Sequence, residues 1–258
     1  MMKATRRLMI VFASDLHLDY RHPERLDRFR RFVDRIIADA GSEPLDVYFA
    51  GDLFDWWYEY RDAIFTAYEK ELDELKRLAA RARTIVILKG NHDFFYRDGI
   101  AKRIAQNITV SGDRIVIDAC GKKILIEHGD LLCGNDPAYL RFRRRIRSRL
   151  SRFAFWLMPF RMVIWLVRKL EAESEKHKAN LDAKWLSISP ELLTELFNST
   201  NCDAIVCGHV HQASEINVST SKGDRTGYVL GGWFQRIEYL TLTESGFEHH
   251  TIEDDAAV

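Results

Sequence analysis

The sequence predicts an α/β protein in which two sheets pack face to face with helices outside. Three observations predict it. First, five short apolar runs rich in Val, Ile and Phe each end in a polar cluster: "LMIVFASDLH", "LDVYFAGDLFD", "RTIVILKGNHD", "KILIEHGD" and "DAIVCGHVH". Runs of that length and composition are the pattern of buried strands. Second, helical spacing fills the gaps between the first three runs. Leu26, Phe29, Val33, Ile36 and Ile37 recur every three or four residues, and so do Ile64, Tyr68, Leu72, Leu75 and Ala79. Third, strands dominate after Gly121, interrupted by a cationic stretch and by "SPELLTELFNST", where Ser189 and Pro190 make a helix start.

The elements follow in order. The N-terminal "MMKATRRLMIVFASD" holds an apolar run of about six residues, too short for a signal-peptide core, and reads as the first strand. Strand, helix, strand, helix, strand then implies a sheet with crossover connections. The C-terminal runs "GYVLGGW" and "RIEYLTLTESG" read as further strands. No linker divides the chain, so residues 1–258 are expected to form a single domain carrying an insertion.

Composition excludes several classes. Apolar residues make up 47% of the 258-residue chain and aromatics 12%, so disorder is excluded. The four cysteines, Cys120, Cys133, Cys202 and Cys207, form no C-x-x-C pair and no zinc-finger spacing, which suits buried thiols in the reducing cytoplasm. The formal net charge is zero, yet residues 137–170 carry nine arginines and Lys169 with no acid, a local charge of +10 against −10 elsewhere. Anionic partners respond to such a local field. The most apolar part of that stretch, Phe153 to Val167, is 15 residues long and holds Pro159 and Arg161. It falls short of the roughly 20 residues that span a bilayer.

The ends of the five apolar runs carry the chemistry: Asp15 and His17, Asp52, Asn91 and His92, His128, and His209 with His211. Strand ends are where open α/β sheets gather ligand-binding side chains. In Asp15-x-His17 and His209-x-His211 the i, i+2 spacing lets both side chains of an extended segment point the same way. A two-metal hydrolytic site needs a bridging carboxylate, imidazoles and open positions for water and a substrate oxygen. Asp52 is the natural bridge. Mixed imidazole, carboxylate and amide ligands suit Mn, Fe, Co or Zn better than Ca, so two divalent ions are expected, manganese first.

The order "SDLHL", "GDLFD", "GNHD", "HGD", "GHVH" resembles the calcineurin-like metallophosphoesterase superfamily. The resemblance implies a four-layer sandwich of two mixed β-sheets flanked by helices around a dinuclear centre. It implies that Asp15, His17, Asp52 and His211 hold one metal, and Asp52, Asn91, His128 and His209 the other. His92 would stabilise the attacked phosphate or protonate the leaving oxygen, with Asp55 orienting it. Asp93 is the competing partner, read more simply as a solvent-exposed loop acid.

"GDLFDWW", "HGDLLCGNDPAYLRFRR", "GHVHQAS" and "VLGGW" further resemble the UDP-2,3-diacylglucosamine diphosphatase family of lipid A biosynthesis. That family cleaves the pyrophosphate of a UDP-linked diacyl amino sugar to UMP and the lipid 1-phosphate, by attack of metal-activated hydroxide on phosphorus. The resemblance implies a helical lid insertion at about residues 137–185. It also implies substrate contacts from Asn91, His92, Asp136, Tyr139, Ser174, Lys178, Lys184 and His209. Members of that family carry Gly-Asn-Arg-Asp where this chain has His92. A phosphate leaving group departs without protonation, whereas an alkoxide benefits from a general acid. A calcineurin-like phosphodiesterase acting on a nucleotide or other phosphoester therefore stays open, as does a non-catalytic metal-holding membrane scaffold.

The cationic, aromatic stretch suits an anionic membrane surface, placing the protein in the cytoplasm and peripherally on the inner face of the cytoplasmic membrane. Nucleic acid is not an expected partner, because a backbone-binding groove has little use for "FAFWLMPF" beside its arginines. Oligomeric state leaves no signal in the sequence.

Overall fold

The computed structural model describes residues 8–59, 62–134, 137–159, 161–169 and 187–254. One sheet is built from β1 (Met9–Ala13), β2 (Leu45–Phe49), β3 (Thr84–Ile87), β4 (Ile108–Val110), β10 (Arg236–Thr243) and β11 (Gly246–Glu253). Its order is β11-β10-β1-β2-β3-β4, with β1 to β4 parallel and β10 antiparallel to β1. The other sheet is built from β5 (Arg114–Ala119), β6 (Lys122–Glu127), β7 (Ala204–Cys207), β8 (Ser214–Thr220) and β9 (Gly223–Val229) in the order β5-β6-β7-β9-β8. There β6, β7 and β9 are parallel.

Alternation along the strands sets the layers. In β1, Val11 and Ala13 face Phe29, Phe32, Val33 and Ile36 of α1 (Pro23–Ala40), and the same core takes in Leu72 and Leu75 of α3 (Glu69–Arg81). Ile10 and Phe12 face the opposite way, into a core shared with Ile124 and Ile126 of β6 and Ala204 and Val206 of β7. In β7 the alternate residues Ile205 and Cys207 turn outward onto Leu193, Leu196 and Phe197 of α8 (Pro190–Thr200). Helices, sheet, sheet, helix: the expected sandwich is the observed one.

Local signals act where the sequence placed them. Pro23 opens α1, and the Ser189 hydroxyl accepts from the Leu192 N–H at the start of α8. Two expectations need correction. The periodic stretch from Ile64 to Ala79 is not one helix but α2 (Ala63–Ala67) and α3. Tyr68 sits at the break, its ring against Phe54 and Trp57 and its hydroxyl donating to the Trp56 carbonyl. The run "GYVLGGW" leaves the sheet at Val229, and the segment beyond it turns toward β1, where the Trp233 N–H donates to the Asp15 carbonyl.

After the short α4 (Gly99–Arg103), the cationic stretch folds as α5 (Pro137–Ile146), α6 (Arg149–Leu157) and the helical residues 161–169, α7. Ser148 caps α6 by accepting from the Ser151 N–H, and Pro159 follows its end. Phe155 and Val163 insert into the main core, while Leu150, Phe153, Trp156, Leu157, Met162 and Trp165 are exposed. No helix among the described residues is long and apolar enough to cross a membrane.

Phe29 is fully buried between α1 and β2, stacked near Phe32 and edge-on to Phe49. Phe29→Ala is expected to cost about 3–5 kcal/mol of stability, measured as a fall in the midpoint of chemical unfolding.

Candidate metal centre and active site

The parallel strands β1, β2, β3, β6 and β7 deliver their C-terminal ends to one seam between the sheets. Asp15 and His17 follow β1, Asp52 follows β2, Asn91 and His92 follow β3, His128 follows β6, and His209 and His211 follow β7. The loops are tied across the seam. The His209 N–H donates to Asp15 Oδ2 at 2.8 Å, the His92 N–H to Asp52 Oδ1 at 2.9 Å, and the Gly208 N–H to the His128 carbonyl at 2.8 Å.

Neither the Asp15–His17 pair nor the His209–His211 pair lies on extended backbone, as the i, i+2 reading had it. Asp15, His17, Asp52, His209 and His211 all have φ between 48° and 75°, and they are five of the seven non-glycine residues with positive φ among those described. Left-handed residues turn each chain sharply at the strand end, so that alternate side chains converge instead of lining a face. Two glycines serve close approach. A Cβ on Gly90 would overlap the Asp52 carboxylate, and one on Gly208 would overlap Ser14 Oγ and the Asp15 carboxylate.

Three overlapping groups of donors result: Asp15, His17 and His211; Asp15, Asp52 and His128; and His17, Asp55 and His92. Within each, the ligand atoms lie within 4.8 Å of one another. His17 Nε2 and His211 Nε2 face each other at 3.4 Å. His128 Nε2 stands 2.9 Å from Asn91 Oδ1, 3.2 Å from His209 Nδ1 and 3.3 Å from Asp52 Oδ2. His128 Nδ1 sits 3.1 Å from the Ala50 carbonyl, which leaves Nε2 as the atom aimed at the cluster.

The electrostatics follow from burial without water. Burial alone would raise both carboxyls, but His211 and His128 hold Asp15 at about 2, and His128 and His92 hold Asp52 well below the usual carboxylate range. Burial would lower His128, yet Asp52 and Asp15 outweigh it and push the imidazole up to about 10. Burial and the neighbouring His128 push His209 down to about 4. Asp15 Oδ1 is fully buried and makes no hydrogen bond, though His211 Nε2 stands 3.2 Å away. An orphaned carboxylate oxygen among facing imidazole nitrogens is a donor set that fits divalent ions.

Asp55 does not orient His92 with its carboxylate. That carboxylate lies 3.1 Å from His17 Nδ1 and is flanked by Arg25 and Arg21. His92 Nδ1 instead donates to the Asp55 backbone carbonyl at 2.9 Å. With the Asp55 carboxylate engaged by the His17 ring, the main-chain oxygen is what remains for His92. Asp93 is no exposed acid either. It is fully buried and accepts from the N–H groups of Gly90, Leu53 and Asp52 and from the Tyr96 hydroxyl, and burial beside Asp52 raises it to about 6. It staples the Asp52 loop to the Asn91 loop.

Of the expected lid contacts, Tyr139 donates its hydroxyl to the buried Asp130 at 2.5 Å, and Arg143 donates to the same carboxylate at 2.7 Å, so α5 is anchored on the HGD turn. Asp136, Ser174, Lys178 and Lys184 lie outside the described residues. Phe234 was missed: its ring lies 4.9 Å from His211 and 5.4 Å from His17, and it remains 46% exposed at the rim.

The profile of the calcineurin-like phosphoesterases matches residues 8–213, the span that holds every loop of the cluster. The chain belongs to the calcineurin-like phosphoesterase family. This phosphoesterase is a hydrolase, and it is 31% identical over 245 residues to a UDP-2,3-diacylglucosamine hydrolase of Vibrio cholerae, covering 93% of this chain and 97% of that one. It is 29% identical over 241 residues to the protein of the same name from Pseudomonas putida, again covering 93% and 97%.

Asp55→Asn leaves His17 without its carboxylate partner and His92 with its own intact. Affinity for a divalent ion should fall about 10–100-fold in a metal titration of the phosphoesterase. In the native protein the apparent affinity should rise as pH climbs towards 10, because an incoming ion must displace the proton that Asp52 and Asp15 favour on His128.

Proposed function

We propose that this phosphoesterase hydrolyses the pyrophosphate of UDP-2,3-diacylglucosamine, giving UMP and 2,3-diacylglucosamine 1-phosphate in lipid A biosynthesis. The observation that carries the proposal is the end-to-end match to relatives bearing that substrate's name. The cluster at the seam supports it, since it supplies the donors a dinuclear phosphoesterase needs.

Asp15, His17, Asp52 and His211 would hold one divalent ion, and Asp52, Asn91, His128 and His209 the other, with manganese as the proposed metal. Such ions, when bound, supply Lewis acidity and lower the pKa of water toward neutrality. The residues of the chain do the rest. Asp55 fixes the tautomer of His17, and Ala50 that of His128. The Asp55 carbonyl holds His92 by Nδ1, which turns Nε2 to the attacked phosphate as charge stabiliser or proton donor. Asn91, His92 and His209 would contact the phosphate, and Tyr139, with Asp136, Ser174, Lys178 and Lys184, the remainder of the substrate.

In this reading residues 1–258 are one domain, and about 137–185 are its lid. The exposed Leu150, Phe153, Trp156, Met162 and Trp165 form an apolar face among arginines, suited to an anionic bilayer surface at the inner face of the cytoplasmic membrane. His92 favours a second reading, a phosphodiester whose alkoxide leaving group needs a proton.

Incubation of the manganese-loaded protein with UDP-2,3-diacylglucosamine should release UMP and the lipid 1-phosphate by mass spectrometry, and Asp52→Ala should reduce turnover to background. Release of UDP, or cleavage of a nucleotide diester with no turnover of the lipid, would contradict the proposal.

A further inference from the structure

A second charged site flanks the metal cluster. A cavity of about 550 Å³ opens between the loop after β3, the β4–β5 turn and helices α5 and α6. Lys89, Arg143, Arg144, Arg147 and Arg152 line it, and Asp113 is the one acid among the lining residues.

The ion pairs within it use only part of that charge. Asp113 accepts from Arg143 at 3.1 Å and from Arg147 at 2.5 Å, and Arg143 also reaches Asp130. Arg147 extends over the Phe94 ring and donates to the Gly90 carbonyl at 2.6 Å, while its Nε is buried with no hydrogen-bond partner. Among the described residues, the side chains of Lys89, Arg144 and Arg152 have no hydrogen bond or ion pair. Like charges gathered round one cavity repel, and a multivalent anion relieves the repulsion. Guanidinium forks and an ammonium group together are the chemistry of phosphate recognition.

We propose that this cavity is a second anion site, which binds a phosphate group separately from the metal cluster. Two sources share that chemistry: free phosphate, and the headgroup of an anionic lipid. The second is open because α5 and α6 also carry the exposed Phe142, Leu150 and Phe153. The proposal does not rest on the UDP-sugar reading, because the cavity is lined by none of the cluster residues.

The test compares the metal-loaded native protein with Arg144→Gln/Arg152→Gln, both arginines being solvent-exposed, and with Lys89→Gln as an independent variant. Radiolabelled inorganic phosphate is followed by equilibrium dialysis, and co-sedimentation is measured with phosphatidylcholine vesicles with and without phosphatidylglycerol. If free phosphate fills the site, the native protein binds one phosphate more per chain than either variant, while vesicle binding is unchanged. If a lipid headgroup fills it, both variants lose at least tenfold in binding to phosphatidylglycerol vesicles, and inorganic phosphate competes with those vesicles for the native protein. Hydrolysis of bis(p-nitrophenyl) phosphate should be the same in all three proteins, which shows that they are folded. Equal phosphate stoichiometry and equal vesicle binding in all three would overturn the proposal.

Discussion

Two carboxylates, Asp15 and Asp52, are held almost fully out of water where the C-terminal edges of the two sheets meet, and the rest of the molecule is arranged around that fact. An ionised carboxylate loses several kcal/mol on leaving water unless cations and N–H donors replace its hydration. Here backbone N–H groups of the opposite loops and the His128 imidazole do so for Asp15 Oδ2 and for Asp52, while Asp15 Oδ1 stays without a hydrogen bond 3.2 Å from His211 Nε2. The geometry has its own cost, since a left-handed non-glycine residue costs roughly 1–3 kcal/mol and five of them surround the cluster. The sandwich core under the loops, from Ile10 and Phe12 to Ile126 and Val206, is what holds them in place.

Much of this was legible in the sequence, for a local reason. Each strand and the ligand-type residues at its end are neighbours in the chain, so an apolar run followed by Asp-x-His or Gly-Asn-His shows both at once. The relations between loops were not legible, because they depend on which backbone lies opposite. Asp55 was expected on His92 and is spent on His17. Asp93 reads as a loop acid, yet it is the buried staple between two loops, and the only trace of that role is its place three residues after Gly90, whose N–H it accepts. The break at Tyr68 was hidden for the same reason: helical spacing continues through it, and only packing on Phe54 and Trp57 distinguishes it.

The cationic stretch shows how one segment serves two environments. Its inward residues are tied to the domain: Phe155 and Val163 enter the core, and Arg143 and Arg147 reach Asp130, Asp113 and the carbonyl of Gly90. Its outward residues combine arginines with exposed rings, the amphipathic pattern of interfacial helices. The contact between Arg147 and Gly90 also means that this segment braces the loop bearing Asn91 and His92.

The central claim, that five strand-end loops assemble one dinuclear centre bridged by Asp52, is tested most directly by anomalous diffraction from crystals grown with manganese. The account predicts two peaks about 3.5–4 Å apart, one among Asp15, His17 and His211 and the other among Asn91, His128 and His209, with the Asp52 carboxylate between them. A single peak, or two peaks that do not share Asp52, would contradict it.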